Sequence, residues 1–159
     1  MIDEPTVFYF DGKPYTPNNS GQTFYGAVTL RDALVRSLNV ATVKVAEMVG
    51  YRRVVALARR LGLNAAIKPT PAVALGAYEM SPLDIAAGYT AFANNGTRCR
   101  LSFLKRIVGR GGDLIMNHTP FREPVLDPRI ACMITDILED VINRGTGAGV
   151  RKRGFRVAA

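Results

Sequence analysis

Three helix-start signals, each followed by apolar residues at helical spacing, constrain this chain to a largely helical fold. Thr29 with Asp32 three positions later forms a capping-box pattern, and Ser81-Pro82 and Asp127-Pro128 each place a capping side chain before a proline. A Ser, Thr or Asp side chain at such a position accepts a hydrogen bond from a free helix amide. The sequence therefore predicts helices that begin near residues 30, 82 and 128.

Apolar residues recur at steps of three and four, which marks one face of each predicted helix. The first stretch ends at Gly50, and its expected face comprises Leu30, Leu34, Leu38, Ala41, Val45 and Met48. The second ends at Gly62, with a face made of Val54, Leu57, Ala58 and Leu61. The helix after Ser81 is rich in small residues, which allow close packing. The last has a wide apolar face made of Ile130, Met133, Ile134, Ile137, Leu138, Val141 and Ile142.

The segments outside these helices read as turns and short strands. Residues 1–28 look irregular because Pro and Gly recur, apart from a strand from Val7 to Phe10 before the Asp11-Gly12 turn. Residues 101–108 and 114–116 flank a glycine-rich turn and predict a β-hairpin. Residues 155–159 begin an apolar, strand-like run. We expect one domain, with 1–28 as an irregular lead-in and 29–159 as its central, mostly helical part.

The charge balance narrows the function only a little. The chain carries 21 Lys and Arg against 13 Asp and Glu, for a net charge of +8. Such a surplus suits nucleic acid, an anionic membrane surface or an anionic polymer, and it equally suits an arginine-rich soluble protein. Four arginines fall off the apolar stripe of the second helix and predict a solvated face: Arg52, Arg53, Arg59 and Arg60. No apolar run of about 18 residues predicts a membrane span, and the acidic start is unlike a signal peptide.

The side chains that usually hold metals or activate nucleophiles are scarce. One histidine, His118, and two distant cysteines exclude a zinc ribbon and a disulfide framework, so we predict no metal and no cofactor. Cys132 falls in an apolar helix and is expected in the core. No Gly-x-Ser-x-Gly elbow accompanies His118, which argues against a serine triad. The spaced glycines 145, 147 and 149 follow a helix, whereas a dinucleotide loop follows a strand.

The most informative segment is Ser37-Leu38-Asn39, within or at a break in the first helical stretch. Alone, a Ser and an Asn two apart indicate only a local cap. Their surroundings are more specific: the runs 24–34, 40–46, 72–84 and 87–96, then Val125 to Pro128 and Arg144 to Gly147. In this order they closely resemble the transpeptidase domain of class A penicillin-binding proteins, the bifunctional peptidoglycan synthases. The resemblance covers nearly all of residues 20–159.

That resemblance implies a fold and a mechanism. The fold is α+β and predominantly helical: the helical subdomain of the penicillin-binding protein transpeptidase and serine β-lactamase-like fold, with a β-hairpin, truncated before the Lys-Thr-Gly strand. In the family, the serine of a Ser-x-x-Lys motif attacks the D-Ala-D-Ala carbonyl of a peptidoglycan stem peptide. The acyl-enzyme is resolved by an amine of a neighbouring stem peptide, and β-lactams mimic the dipeptide.

The resemblance also implies roles for two residues. Ser37 would relay protons between the lysine of the nucleophile motif and the leaving group, because a hydroxyl both donates and accepts. Asn39 would hydrogen-bond the substrate's peptide amide and order the catalytic lysine. The implied partners are stem peptides and β-lactams, with no nucleic acid expected and membrane attachment only through other parts of the intact protein. The implied location is the cell envelope, on the extracytoplasmic side of the inner membrane.

This chain departs from the family pattern at two motifs. No Ser-x-x-Lys precedes Ser37, since Ser20 has Thr23 three positions later, and no Lys-Thr-Gly follows residues 155–159. Ser102 and Lys105 match Ser-x-x-Lys formally, but they follow Ser-x-Asn and fall in a predicted strand, where residues three apart face opposite sides. We therefore expect no nucleophile in this chain and no acylation of the chain alone.

Two other functions fit the same residues. A basic, helical domain without a nucleophile suits a non-catalytic module that binds cell-wall polymer or a protein partner. Nucleic-acid binding fits less well, because the cations are spread over several segments without a recognised motif. A helical lobe without its sheet is also expected to expose apolar surface and self-associate, above all along residues 128–144.

Overall fold

The computed structural model describes residues 1–63 and 66–154. The first part contains strands β1 (Ile2–Asp3), β2 (Phe8–Phe10), β3 (Lys13–Tyr15) and β4 (Gly26–Ala27), then helices α1 (Leu30–Val35), α2 (Asn39–Val49) and α3 (Tyr51–Arg60). A 3₁₀ helix (Pro71–Leu75) and α4 (Pro82–Ala93) precede strands β5 (Thr97–Cys99), β6 (Arg106–Val108), β7 (Leu114–Asn117) and β8 (Arg122–Pro124). Helices α5 (Pro128–Arg144) and α6 (Gly149–Lys152) follow. The strand-like run at 155–159 lies outside the described residues.

The lead-in is more ordered than its sequence suggests. Strands β1 and β4 pair antiparallel and close the segment on itself, with Ile2 opposite Ala27. Strands β2 and β3 form a hairpin around Asp11 and Gly12, which both have positive φ. That conformation suits a two-residue turn between twisted strands. The predicted strand near Val7 to Phe10 is confirmed as Phe8–Phe10, whereas the irregularity expected for most of residues 1–28 gives way to four short strands.

The predicted glycine-rich hairpin is confirmed by the antiparallel pair β6–β7. Strand β5, which precedes this hairpin in the chain, pairs antiparallel with β8, which follows it. The strand expected over 101–108 is limited to Arg106–Val108, so the placement of Ser102 in a strand is wrong. Ser102 lies in the loop after β5, where its hydroxyl donates to the carbonyl of Leu104 at 2.9 Å. Pairing extends only three to four residues on either side of the glycine-rich turn, and its register shifts between Ile107 and Val108.

The three predicted helix starts are confirmed by their caps. Thr29 Oγ1 accepts from the amide of Asp32 at 3.0 Å, and Ser81 Oγ accepts from the amide of Asp84 at 3.1 Å. Asp127 Oδ1 accepts from the amide of Arg129 at 2.8 Å. Each bond satisfies a donor that lacks an intrahelical partner.

Helix α2 lies at the centre of the core. Its Val40 and Val43 pack with Phe8, while its Ala41 packs with Ala33 and Leu38. The apolar face expected for the first stretch is confirmed at Leu38 and Ala41, which are buried. It is wrong at Leu30, Leu34 and Met48, which are 59%, 39% and 79% exposed. A change of direction between α1 and α2 separates their faces, so one continuous helical stripe does not exist. The fully buried positions of this stretch are Val35, Val40, Ala41 and Val43.

On α3 and α5, the observed burial of side chains agrees less well with the burial predicted from the sequence. In α3 the four arginines are exposed, as predicted, but Val55 rather than Leu57 is buried. In α5 the placement of Cys132 in the core is wrong, because Ala131 faces inward and Cys132 is exposed. Ile130 and Met133 on the same helix are about half exposed, at 48% and 62%. None of the helices in the described part is both long and apolar enough to cross a bilayer.

Candidate functional site

Ser37 occupies the turn between α1 and α2 in a left-handed conformation, with φ of 57°. Its amide donates to the carbonyl of Leu34 at 3.0 Å, and the amide of Leu38 donates to that of Ala33 at 2.9 Å. These two bonds form a Schellman motif, in which glycine normally takes the left-handed position. The Ser37 side chain is exposed. Glycine would adopt this left-handed backbone conformation at a lower cost in free energy than serine does.

A glycine at this position is expected to stabilise the chain. The left-handed conformation costs an L-residue about 1–2 kcal/mol. Glycine removes this cost, but the gain is partly offset because glycine loses more conformational freedom on folding. We expect Ser37→Gly to raise the free energy of unfolding by about 0.5–1 kcal/mol in urea titrations. Ser37→Ala, which removes the hydroxyl but keeps the strain, serves as the control. Equal stability of the glycine and alanine variants would contradict a strained Ser37.

Leu38 and Asn39 complete the turn. Leu38 is buried against Ala33 and Ala41, the hydrophobic contact that often accompanies a Schellman motif. Asn39 is the first residue of α2, and its Nδ2 donates to the carbonyl of Asn18 at 2.7 Å. Ser37 and Asn39 therefore stand on either side of a buried anchor, at one junction. The motif thus lies at a break between two helices, one of the two placements that its sequence allowed, and not within one helix.

The start of α2 is capped by a residue far away in sequence. Asn19 is buried, and its Oδ1 accepts from the amide of Val40 at 3.2 Å. Its Nδ2 donates to both carboxylate oxygens of Asp3 at 2.9 Å, and Asp3 also accepts from the amide of Tyr25 at 3.1 Å. A buried polar network thus ties the lead-in to the turn that bears Asn39. Sequence reasoning missed Asn18 and Asn19, which had only turn-forming character.

The end of α5 supports the other side of the turn. A Cβ added at Gly145 would lie 2.4 Å from the carbonyl oxygen of Val35, the last residue of α1. The next amide, that of Thr146, donates to the same oxygen at 3.3 Å. Only glycine permits this approach, two residues before Ser37. The contact gives the Arg144 to Gly147 segment a structural role that its sequence did not reveal.

Ion pairs hold α1 against α5. Arg144 contacts Asp32 at 3.1 Å and Asp140 at 3.0 Å, and Arg31 contacts Asp140 at 2.9 Å as well as Asp136. Hydrogen bonds from Arg144 and then Arg31 lower the pKa of Asp140. Hydrogen bonds from Thr29 and then Arg144 lower the pKa of Asp32.

These lowered pKa values make the α1–α5 contact sensitive to acid. A carboxylate whose pKa is lower in the folded chain stabilises it above the unfolded value, near about pH 4, and stops doing so as pH falls through the folded value. We expect the midpoint temperature of unfolding to decrease as the pH is lowered below about 4. This decrease should be less steep in about 1 M salt, which screens exposed ion pairs. Asp140→Asn should flatten this acid limb. A wild-type and a variant profile of the same shape would contradict the expectation.

A groove of about 470 Å³ opens beside the turn, lined by Tyr25, Ala27, Val28, Thr29, Asp32 and Arg36. The Arg36 guanidinium lies over the Tyr25 ring, 4.8 Å from its centroid. Sequence reasoning assigned neither residue a role. Within the described ranges, no cluster of three or more His, Cys, Asp or Glu side chains is placed to hold a metal.

The chain matches the family model of the penicillin binding protein transpeptidase domain over residues 2–159. It is 36% identical over 148 residues to penicillin-binding protein 1A of Aquifex aeolicus, covering 91% of this chain and 20% of that protein. It is 33% identical over 152 residues to penicillin-binding protein 1B of Haemophilus influenzae, covering 94% and 20%. The chain thus spans about a fifth of the length of these curated relatives.

Solved structures show the same fold. Penicillin-binding protein 1A from Haemophilus influenzae superposes with a TM-score of 0.89 at 20% identity, covering 96% of this chain and 28% of that one. Penicillin-binding protein A from M. tuberculosis, solved as an imipenem acyl-enzyme complex, gives a TM-score of 0.80 at 18% identity, covering 93% and 40%. The expected α+β transpeptidase fold is confirmed.

Proposed function

Because the chain belongs to the penicillin binding protein transpeptidase family, we propose that it supplies the Ser-x-Asn wall of a D,D-transpeptidase cleft. In that cleft, stem peptides are cross-linked through an acyl-serine intermediate. The observation that carries this proposal is the exposed hydroxyl of Ser37 in a left-handed position that ordinarily selects glycine. Strain of this kind is retained where the side chain has a use.

In the proposed mechanism Ser37 moves a proton. When the serine of Ser-x-x-Lys attacks the D-Ala carbonyl, its proton passes to a base, and the leaving D-Ala amine must gain one. A hydroxyl donates one proton while accepting another, so Ser37 suits a relay between the motif's lysine and that amine. The rigid turn between α1 and α2 supports this role, because a relay needs fixed donor and acceptor positions.

Asn39 is proposed to bind the substrate backbone. One of its amide hydrogens is directed to the carbonyl of Asn18, which orients the carboxamide plane. A carboxamide has a second N–H and an acceptor oxygen. These groups match the carbonyl and amide of a peptide bond, and we assign them to the stem peptide.

The nucleophile motif does not precede Ser37 in these 159 residues, so we propose that the chain alone is inactive. Its proposed setting is the extracytoplasmic face of the cell envelope, with stem peptides and β-lactams as ligands of the whole transpeptidase. After incubation with excess penicillin, intact-mass spectrometry should show no added penicilloyl group. A stoichiometric adduct would contradict the proposed inactivity, and peptide mapping should then examine Ser102 and Ser37 first.

The role of Ser37 is tested in a chimera. Residues 1–159 replace the matching segment of Aquifex aeolicus penicillin-binding protein 1A, the 36% identical relative. We expect the chimera to form a penicilloyl adduct and Ser37→Ala to slow that reaction by about 10²-fold or more, as for loss of a general acid–base group. Ser102→Ala, on the loop after β5, is the matched control and should not change the rate. An unchanged rate in Ser37→Ala would overturn the relay.

A further inference from the structure

We propose that Arg36 is a specificity-determining residue that recognises a carboxylate of the peptide ligand, in the groove beside the Ser37 turn. This inference rests on the proposed function for its ligand class, a peptide, and adds a second contact away from the reacting carbonyl. Three observations support it: the ion pairs of the charged residues in the groove, the contact between the Arg36 guanidinium and the Tyr25 ring, and the position of Arg36 next to Ser37 in the chain.

Arg36 attracts the Asp32 carboxylate of the same groove at long range, where it is the smallest of the causes that lower the pKa of Asp32, but the two groups form no ion pair. Across the part of the chain that the structure describes, the ion pairs of α1 involve Arg31 and Asp32, and no carboxylate lies within ion-pair distance of Arg36. Asp32 lines the same groove, but its Oδ1 accepts from Arg144 at 3.1 Å and its Oδ2 from Thr29 at 2.8 Å. The Asp32 carboxylate is thus engaged directly by Thr29 and Arg144, and Arg36 is left without an ion pair among the described residues.

The Arg36 guanidinium is also held in position. It lies 4.8 Å from the Tyr25 ring centroid, within the range of a cation–π interaction. The main chain of Tyr25 is fixed in turn, because its amide donates to the buried carboxylate of Asp3 at 3.1 Å. A guanidinium supported on one face by an aromatic ring keeps its N–H edge for another ligand. Less side-chain freedom is then lost on binding.

The chemistry of this arrangement selects a carboxylate. The planar fork of a guanidinium matches the two oxygens of a carboxylate, in a pair of parallel charge-assisted hydrogen bonds. Ala27 and Val28 give the groove an apolar wall, which suits the aliphatic part of a peptide. Arg36 directly precedes Ser37, so the groove that Arg36 lines adjoins the turn that carries Ser37.

The test uses the 159-residue chain and two capped peptides, acetyl-Glu-Ala-Ala-amide and acetyl-Gln-Ala-Ala-amide, which differ only in one carboxylate. Binding is followed at low salt by NMR shifts of the backbone amide signals at positions 25 and 36, which every variant retains. We expect the glutamate peptide to bind about fivefold tighter, in line with a partly exposed ion pair. Arg36→Gln should bring the ratio close to one, and Tyr25→Leu should reduce it about twofold.

The matched control is Arg52→Gln, an exposed arginine on α3, which should keep the wild-type ratio. Equal binding of the two peptides to wild type, binding of neither, or an unchanged ratio in Arg36→Gln would each overturn the role of Arg36. The readout needs no acylation, so it separates the two proposals. A chimera that fails to depend on Ser37 would overturn the relay while leaving the carboxylate preference intact.

Discussion

Asn19→Ala is expected to lower the free energy of unfolding by about 3 kcal/mol or more, the largest single loss we predict. The variant removes both side-chain hydrogen bonds to Asp3, a carboxylate that is only 1% exposed, and it removes the cap on the Val40 amide. The Asp3 carboxylate would keep only the hydrogen bond from the Tyr25 amide, so most of its desolvation penalty would lose its compensation. Urea titration measures the loss, and the thermal midpoint should fall by about 6–12 °C for a chain of this size.

Asn18→Ala is the matched control for this variant. Asn18 is the exposed neighbour, and its bond to Asn39 uses the main-chain carbonyl, which alanine retains. We expect it to change stability by less than about 0.5 kcal/mol. In the double variant Asn19→Ala/Asp3→Ala, the loss of stability should differ strongly from the sum of the two single losses, because the Asn19 and Asp3 side chains interact directly. Additive losses, or an Asn19→Ala loss no larger than that of Asn18→Ala, would contradict the proposed network.

Gly145→Ala is expected to cost about 2–3 kcal/mol, although it adds one methyl group to a helix end. Its Cβ would lie 2.4 Å from the Val35 carbonyl oxygen and 2.9 Å from the Cα of Val141, both of them main-chain atoms. Contacts this short force α1 and α5 apart. The displacement also reaches the turn, so the amide signals of Ser37 and Leu38 should shift in an NMR spectrum of the folded variant. Chemical denaturation measures the loss of stability.

Gly149→Ala provides the comparison in the same segment. No heavy atom lies within 4 Å of a Cβ added at Gly149, which begins α6, so alanine there should be neutral or slightly stabilising. If both alanine variants had the same stability, close packing would not be the reason why position 145 is a glycine. A destabilised Gly145→Ala with unshifted Ser37 and Leu38 signals would separate the packing of α5 from the geometry of the turn.

The candidate site was identified in part from the sequence. Ser37 and Asn39 were singled out because their surroundings match a family order, and the structure has a break between α1 and α2 at that point. Their roles in proton relay and substrate binding remain predictions. The supporting residues were not found. Asn19 lies 21 positions from Val40, and Gly145 lies more than a hundred positions from Val35, so no local pattern relates them.

Burial was predicted less well than helix limits. Leu30 and Leu34 have the right spacing for a core face, but the turn at Ser37 separates the face of α1 from that of α2 and leaves them exposed. Met48, near the end of α2, is exposed as well. Cys132 is exposed for a related reason, since α4 packs on the side of α5 that presents Ala131 and Thr135. Periodicity identifies a helix, while the neighbours of that helix decide which side is covered.

Features that depend on residues within a few positions of one another could be predicted from the sequence. These are the caps at Thr29, Ser81 and Asp127, the turns at Asp11-Gly12 and in the glycine-rich hairpin, and the break that carries Ser37. Three other features became visible in the folded chain alone: Asn19 caps α2, Gly145 packs on α1 and Arg36 lies over Tyr25. A local bond forms wherever its short segment forms, whereas a distant pair exists only after the whole chain has closed around it.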